Sequence, residues 1–523
     1  MKRLARLFPM FLTLLILSSS LYASMDGGEP KIKHVLLISV DGMHAIDLTN
    51  YVASHPNSTL AHLSAHGVTF DNASTSQPSD SFPGLASLVT GGSPTTTGFW
   101  YDVSYNRKFA PPALTSPYVS YVGVASGPCP GTTAGSIVEF DESVDADLTK
   151  LNGGGSINPG YLPRDPQRGC TPVYPHEYLR VNTIFEVVKS HGGYTAWTDK
   201  HPSYEWTKGP SGKGVDDFYG PEINSIPVAL PQFTGCSPVN AVDTTPDDGW
   251  TTNLANIRCY DSLHVQAVLN QIKGLTHDGS HSAPIPTLFG TNFQAVSVGQ
   301  KLAADGYTDV LGTPSDGLTA QLDFVDQSLG SIVNALVQAN VYDKTLIIVG
   351  AKHGQSPIDH QKRVGIGGGQ PATLLGSYET FDISDDGSLI WLTSPSQTAS
   401  AVSLLSDPAS QQTLGIQEIF AGSSLKEKFN NPVYDERTPD IVLKTNTGVI
   451  FTGGSKIAEH GGLNEDDLHV ALLVSMPGLP AKHVKAQVLN QQVAPTIIKA
   501  LGLNPSELDA VRIEGITSLP FLF

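Results

Sequence analysis

Positive charge is scarce in this chain. Against 49 Asp and Glu residues it carries 31 Lys and Arg, a formal net charge of −18 over 523 residues. Nucleic-acid duplexes reward clustered cations, so no such binding is expected. Long apolar runs are also scarce. Past the first 24 residues, no stretch approaches the ~20 apolar residues a helical membrane span needs, so no stable span is expected. Cysteine is rare, with four residues. None sits in a CxxC pair, which argues against a structural zinc cluster. Tandem repeats and long low-complexity tracts are absent.

What is present starts with a leader. Lys2, Arg3 and Arg6 precede an apolar run from Phe8 to Leu17, and Ser18, Ser19, Ser20, Ala23 and Ser24 follow. Residues 1–24 read as a secretory signal cleaved near Ala23 or Ser24; an uncleaved anchor is the alternative. The expected location is secreted or periplasmic. Export gives the cysteines a meaning, because an even count in a Gly- and Pro-rich region of an exported protein suggests disulfides. The pairing that closes the shorter loops is Cys129–Cys170 and Cys236–Cys259, with buried thiols as the alternative. Asn57-Ser58-Thr59 and Asn72-Ala73-Ser74 are glycosylation triplets, relevant only on a eukaryotic route.

Hydrophobic periodicity alternates strands with helices. Lys33 to Val40, Thr287 to Val298, Thr345 to Val349 and Val470 to Val474 read as buried strands. Leu60 to His66, Ser81 to Thr90, Leu318 to Leu336 and Val493 to Leu501 read as helices. Alternation of this kind predicts a mainly parallel sheet covered on both faces, with ligands at the strands' C-terminal ends. Two segments break the rhythm, residues 110–286 and 367–446, and are read as insertions. Within the first, Thr183 to Ser190 and Leu263 to Ile272 look helical. The polar segments 198–202 and 211–214 could line a pocket, and they read equally well as solvated loop.

Chemistry-bearing residues gather at strand and helix ends. Asp41-Gly42 closes the first strand, Ser81 opens a helix, and Lys352-His353-Gly354 follows a later strand. His460-Gly461-Gly462 comes last. Each has a bland reading on its own: a turn Asp, an N-cap Ser, a structural His. Their joint order resembles the alkaline phosphatase superfamily. Within it, the type I phosphodiesterase/nucleotide pyrophosphatase branch is matched by Asp41-Gly42, Ser81-Phe82-Pro83, Leu88-Val89-Thr90-Gly91, His460-Gly461 and the closing Val493-Ala494-Pro495-Thr496-Ile497. The likeness covers residues 32–107 and 287–523. It implies an alkaline phosphatase-like three-layer α/β sandwich over residues 30–523, carrying the two insertions. It also implies phosphoryl transfer to a metal-bound hydroxyl. By resemblance Ser81 is the nucleophile, and Asp41, His353 and His460 are ligands of a divalent metal, most suitably zinc.

The chain departs from that pattern at three places. Lys352 stands where the family has Asp. An ammonium ~4 Å from a dication faces repulsion of about 8 kcal/mol at an effective dielectric near 20. Asn292 falls where a metal-binding Asp is expected, with no His after it. Asp102 falls near a phosphate-contacting Asn. One hypothesis covers all three: Lys352 supplies the charge of a missing metal, paired with Asp102 or Asp41, and at most one ion remains. The expected function is then a secreted phosphoesterase-like hydrolase, a phosphodiesterase or nucleotide pyrophosphatase. Ser81 acts with Lys352 as electrostatic stabiliser, and Asp102 and Asn292 touch a small phosphate-ester substrate. The alternatives are a binding protein on a degraded hydrolase scaffold, or a phosphonate or sulfate ester hydrolase.

Overall fold

The structure is a computed structural model that describes residues 32–114, 129, 134–140, 144–147, 150–151, 157–224 and 252–522. The leader at 1–24 and Cys236 lie outside these residues. Eight strands form the central sheet. In chain order they are β1 (His34–Val40), β2 (Gly67–Phe70), β3 (Ala196–Thr198), β4 (Asp217–Tyr219), β5 (Leu288–Phe293), β6 (Thr345–Gly350), β7 (Leu472–Ser475) and β8 (Lys482–Val484). Their spatial order is β8-β2-β7-β6-β1-β5-β3-β4. The β7 strand is antiparallel to both neighbours, and the remaining pairings are parallel.

A central parallel strand must be apolar on both faces, and β1 is. Val35 and Leu37 enter one apolar cluster, while Leu36, Ile38 and Val40 enter another. Helices supply the covering layers, among them α1 (Ser81–Thr90), α2 (Leu254–Ile272), α3 (Asp316–Gln338) and α4 (Val493–Ala500). The first cluster is built from α1 and α4, through Phe82, Leu85, Leu88 and Ile497. The second uses α2 and α3, through Val268, Leu322, Val325 and Leu329. The result is a three-layer α/β sandwich with a mixed, mostly parallel sheet.

Two strand expectations need correction. The run 287–298 ends as strand at Phe293 and turns into a helix at Ala295–Lys301. Asp261 of α2 causes the change. Its carboxylate accepts the N–H groups of Gln294 and Ala295 at 2.9 and 2.8 Å, a cap supplied by a distant element. The run 470–474 is divided between two sheets. Val470 pairs with Ala73 in a small sheet, and β7 begins at Leu472.

Residues between 110 and 286 contribute β3, β4 and α2. Residues between 367 and 446 contain a four-stranded antiparallel sheet of Glu379–Ser384, Gly387–Leu392, Ile416–Ala421 and Ile441–Thr445. Cys170 is a free thiol raised by a hydrogen bond with Cys129, so these two cysteines are neighbours. Cys259 is disulfide-bonded. Among the described residues no helix is long and apolar enough to cross a membrane.

Candidate active site

Because β5, β1 and β6 are adjacent and parallel, their C-terminal ends open on one side of the sheet. Asp41 follows β1 and donates its N–H to the Phe293 carbonyl at 2.9 Å; Gly42 donates to the His353 carbonyl at 3.1 Å. Three strand ends are thereby laced together. Ser81 arrives at the first turn of α1. The N-cap there is Asp80, whose carboxylate accepts the N–H groups of Phe82 and Asp102, each at 3.1 Å. Gly84 lets this helix press on the β6 end, since a Cβ there would lie 1.9 Å from the Lys352 carbonyl oxygen. His460 comes in on a loop strapped to Ser79. Ser79 donates to the Gly462 carbonyl at 3.0 Å, and Gly461 donates back to Ser79 at 2.8 Å.

The side chains meet around one carboxylate oxygen. Asp41 Oδ2 lies 3.5 Å from Lys352 Nζ, 3.9 Å from Lys200 Nζ and 3.5 Å from His353 Nε2. Gln294 Nε2 also donates to it. Lys352 has two further partners, Asp199 Oδ1 at 3.4 Å and the Tyr204 hydroxyl at 3.1 Å. Its Nζ sits 4.5 Å from the centre of the Tyr204 ring. Lys200 donates to Ser81 Oγ at 3.1 Å. The His353 and His460 rings lie 3.9 Å apart, centre to centre, and His460 Nδ1 is 3.6 Å from Asp80 Oδ1.

Asp41, Ser81, Lys352, His353 and His460 therefore share one cleft. Asp102 is beside Asp80, within the electrostatic reach of Lys200; Lys352 pairs with Asp41 and Asp199. Asn292 is buried on β5 opposite Ser39, and neither atom of its amide finds a hydrogen bond. Depth divides the group. Lys352, Asp41 and Ser81 are fully buried, whereas the side chains of Lys200 and His460 keep 13% and 12% of their surface in solvent. Those two form the mouth.

Charge follows the contacts. Burial works to raise the Asp41 carboxyl, but Lys352, His353 and Lys200 outweigh it and hold it below the usual carboxylate range. Burial works to lower the Lys200 ammonium, but Asp41, Asp102 and Asp199 together raise it, so it stays protonated. Burial raises Asp199 despite Lys352. Burial, then Asp102, pushes Asp80 well up. Both imidazoles are lowered, His353 by burial against the pull of Asp41, His460 by burial and then His353. They are neutral near pH 7.

These residues do not fit a divalent ion. The oxygen of Asp41 nearest the lysines is already shared by two ammoniums and an amide. A dication placed there would face both lysine charges in a buried setting, where repulsion is screened weakly. Among the described residues no group of three or more His, Cys, Asp and Glu side chains is arranged to hold a metal.

Residue pattern alone does not single out Asp80, Asp199, Lys200, Tyr204 or Gln294 as site residues. Asp199 and Lys200 lie in the polar segment 198–202, directly after β3. The available signal is the end of a strand, but β3 is three residues long and shows no period. Gln294 is hidden inside an apolar run that reads as strand.

A sequence profile of the type I phosphodiesterase / nucleotide pyrophosphatase family matches residues 35–116 and 234–469, more than half of the chain. The chain belongs to that family. No curated protein matched the sequence. Among solved structures, murine ectonucleotide pyrophosphatase / phosphodiesterase 5 is similar at 13% identity and a TM-score of 0.55, over 90% of this chain and 96% of that one. An inactive variant of the same murine protein, in complex with AMP, is similar at the same identity and TM-score, covering 91% and 96%. Wild-type alkaline phosphatase PafA is similar at 13% identity and a TM-score of 0.55, covering 92% and 97%. At such identity the structural likeness establishes the fold alone. It agrees with the alkaline phosphatase-like architecture of the family.

Proposed function

We propose that the protein is an anion-binding member of the phosphodiesterase family, taking a small phosphate ester at the mouth formed by Lys200 and His460, above the buried Ser81. Lysine ammoniums provide its positive charge. One observation carries this reading: Lys200 and Lys352 both crowd the Asp41 oxygen that the resemblance assigns to a metal. A pocket of this kind holds an anion by charge-assisted hydrogen bonds from Lys200 and the Ser81 hydroxyl. Asp102 and Asn292 are the further candidates for ligand contact.

A second reading keeps Ser81 as nucleophile in a hydrolase with Lys352 as stabiliser. It is favoured by the position of Ser81 at the start of α1, 3.1 Å from Lys200 Nζ. Attack would form a bond from Ser81 Oγ to phosphorus, break the bond from phosphorus to the leaving oxygen, and release the serine proton. The nitrogen beside Ser81 is an ammonium without a lone pair to accept that proton. Binding without efficient turnover follows.

The test joins calorimetry with inorganic phosphate and AMP to turnover assays on p-nitrophenyl phosphate mono- and diesters, each with zinc and with chelator. The expected outcome is binding that neither addition changes and no turnover. Zinc-stimulated hydrolysis would overturn the proposal. Hydrolysis unaffected by chelator but lost in Ser81→Ala would favour the second reading.

A further inference from the structure

The residue before His460 is a buried acid, Glu459. An unpaired carboxylate there would repel an anion at the mouth, but two ammoniums compensate it. Lys301 Nζ lies 2.7 Å from Oε2, and Lys456 Nζ lies 2.7 Å from Oε1. With both oxygens engaged the side chain has one orientation, and one positive charge is left in excess. Oε2 also accepts the His460 N–H, at 3.4 Å. The Glu459 backbone forms a two-way bridge with Ser356: the Ser356 N–H donates to the Glu459 carbonyl at 2.8 Å, and the Glu459 N–H donates back at 3.0 Å. The bridge joins the two segments whose imidazoles, His353 and His460, stand 3.9 Å apart. On the other side of His460 the Tyr101 hydroxyl donates to its carbonyl at 3.4 Å. Gly461, at a φ of +105°, turns the chain directly after it.

We propose that Glu459 is a positioning residue: through its ion pair with Lys301 it sets where the His460 imidazole stands, over His353 and at the mouth. Lys301 gives the pair its reach. It is the last residue of the helix Ala295–Lys301, and its carbonyl accepts the Ile457 N–H at 2.9 Å. A cation is favoured at that end of a helix. The other end of the same helix is capped by Gln294, whose amide donates to Asp41. A helix of this length spans ~10 Å. One short, rigid element therefore joins the Asp41 end of the cleft to the loop that carries His460. The Glu459–Lys301 pair is the side-chain contact that closes this link, and the Ser356 bridge is the backbone contact that runs beside it. The consequence for phosphate rests on the anion-binding reading: a misplaced His460 leaves the mouth with Lys200 alone.

The experiment uses the full chain with labelled histidine, and compares Glu459→Gln, Lys301→Met, Lys301→Arg and the double variant Glu459→Gln/Lys301→Met. The ring signals of His353 and His460 are followed by NMR, beside calorimetry with inorganic phosphate. In Glu459→Gln and Lys301→Met both ring signals move, because each imidazole lies in the ring field of the other, and phosphate affinity falls about fivefold. Lys301→Arg keeps the pair and restores the wild-type ring signals and affinity. The double variant binds no more weakly than Glu459→Gln alone, since the two residues act through one contact. Unmoved ring signals in Glu459→Gln, or strictly additive losses in the double variant, would overturn the proposal. If Glu459→Gln does not fold, Lys301→Met decides, since Glu459 then keeps Lys456: moved ring signals rescued by Lys301→Arg support the proposal, and unmoved signals overturn it. If the wild type binds no phosphate, the anion-binding reading falls, and the ring signals alone decide whether Glu459 positions His460.

Discussion

The two halves of the cleft solve the same electrostatic problem in opposite ways. In the Asp41 half, each ionised group has a counter-charge within 3.9 Å: Asp41 with Lys352 and Lys200, and Lys352 also with Asp199. In the His460 half, burial and then Asp102 push the Asp80 carboxyl well up, and burial lowers both His353 and His460. Asp80 Oδ1, His353 Nε2 and His460 Nδ1 find no hydrogen bond. A buried charge is tolerated when paired; an unpaired group gives up its charge. The first half is a closed ion cluster, and the second holds three buried polar atoms without a hydrogen bond. The difference points to the second half and the mouth, not Lys352, as the place where an arriving ligand gains most.

The largest blow to this contrast is Lys352→Met. It removes the cation between Asp41 and Asp199, leaving Asp199 without its ion-pair partner and Asp41 with Lys200 alone. Breaking a buried pair in this way costs about 3–5 kcal/mol, to be read from urea melts at pH 7. Unchanged stability would show that the cluster is not paired as described. Next is Lys200→Ala at the mouth. Phosphate affinity is expected to fall about tenfold or more through loss of a charge-assisted hydrogen bond, while stability changes little. Equal affinity in the variant would move the anion elsewhere.

A smaller effect concerns pH. A histidine lowered on folding opposes its own protonation, so stability falls as pH drops below 6.5, the ordinary imidazole value. His460→Asn is expected to flatten that acid slope, and a slope identical to wild type would place the titration in other groups. The smallest expected effect is zinc or chelator on the melting temperature, under about 1 °C, because a ligand that gains nothing in the folded state cannot stabilise it. A dose-dependent rise with zinc would restore a metal to the site.

Much of the architecture was legible in residue order. Ser81–Thr90 announced itself by apolar spacing and a proline in the first turn, and its limits match. The runs behind β1 and β6 were readable because a strand buried on both faces is apolar throughout. The break at Gln294 was not readable, since the cap that forces it comes from Asp261 on α2. Lys200 was visible only within a polar segment that read equally well as pocket lining or solvated loop: β3 is too short to carry a period, and only pairing to β5 and β4 makes it a strand.

The order of Asp41, Ser81, Lys352 and His353 along strand and helix ends was readable from local pattern, and so was a lysine at 352 where the resemblance expects a carboxylate. Backbone preference and burial of apolar faces act over a few residues, so one chain suffices to show them. What Lys352 pairs with was decided in three dimensions. Asp199 and Tyr204 come to it from a segment some 150 residues distant in the chain, and charge compensation depends on distance in space, which only the packed sheet sets.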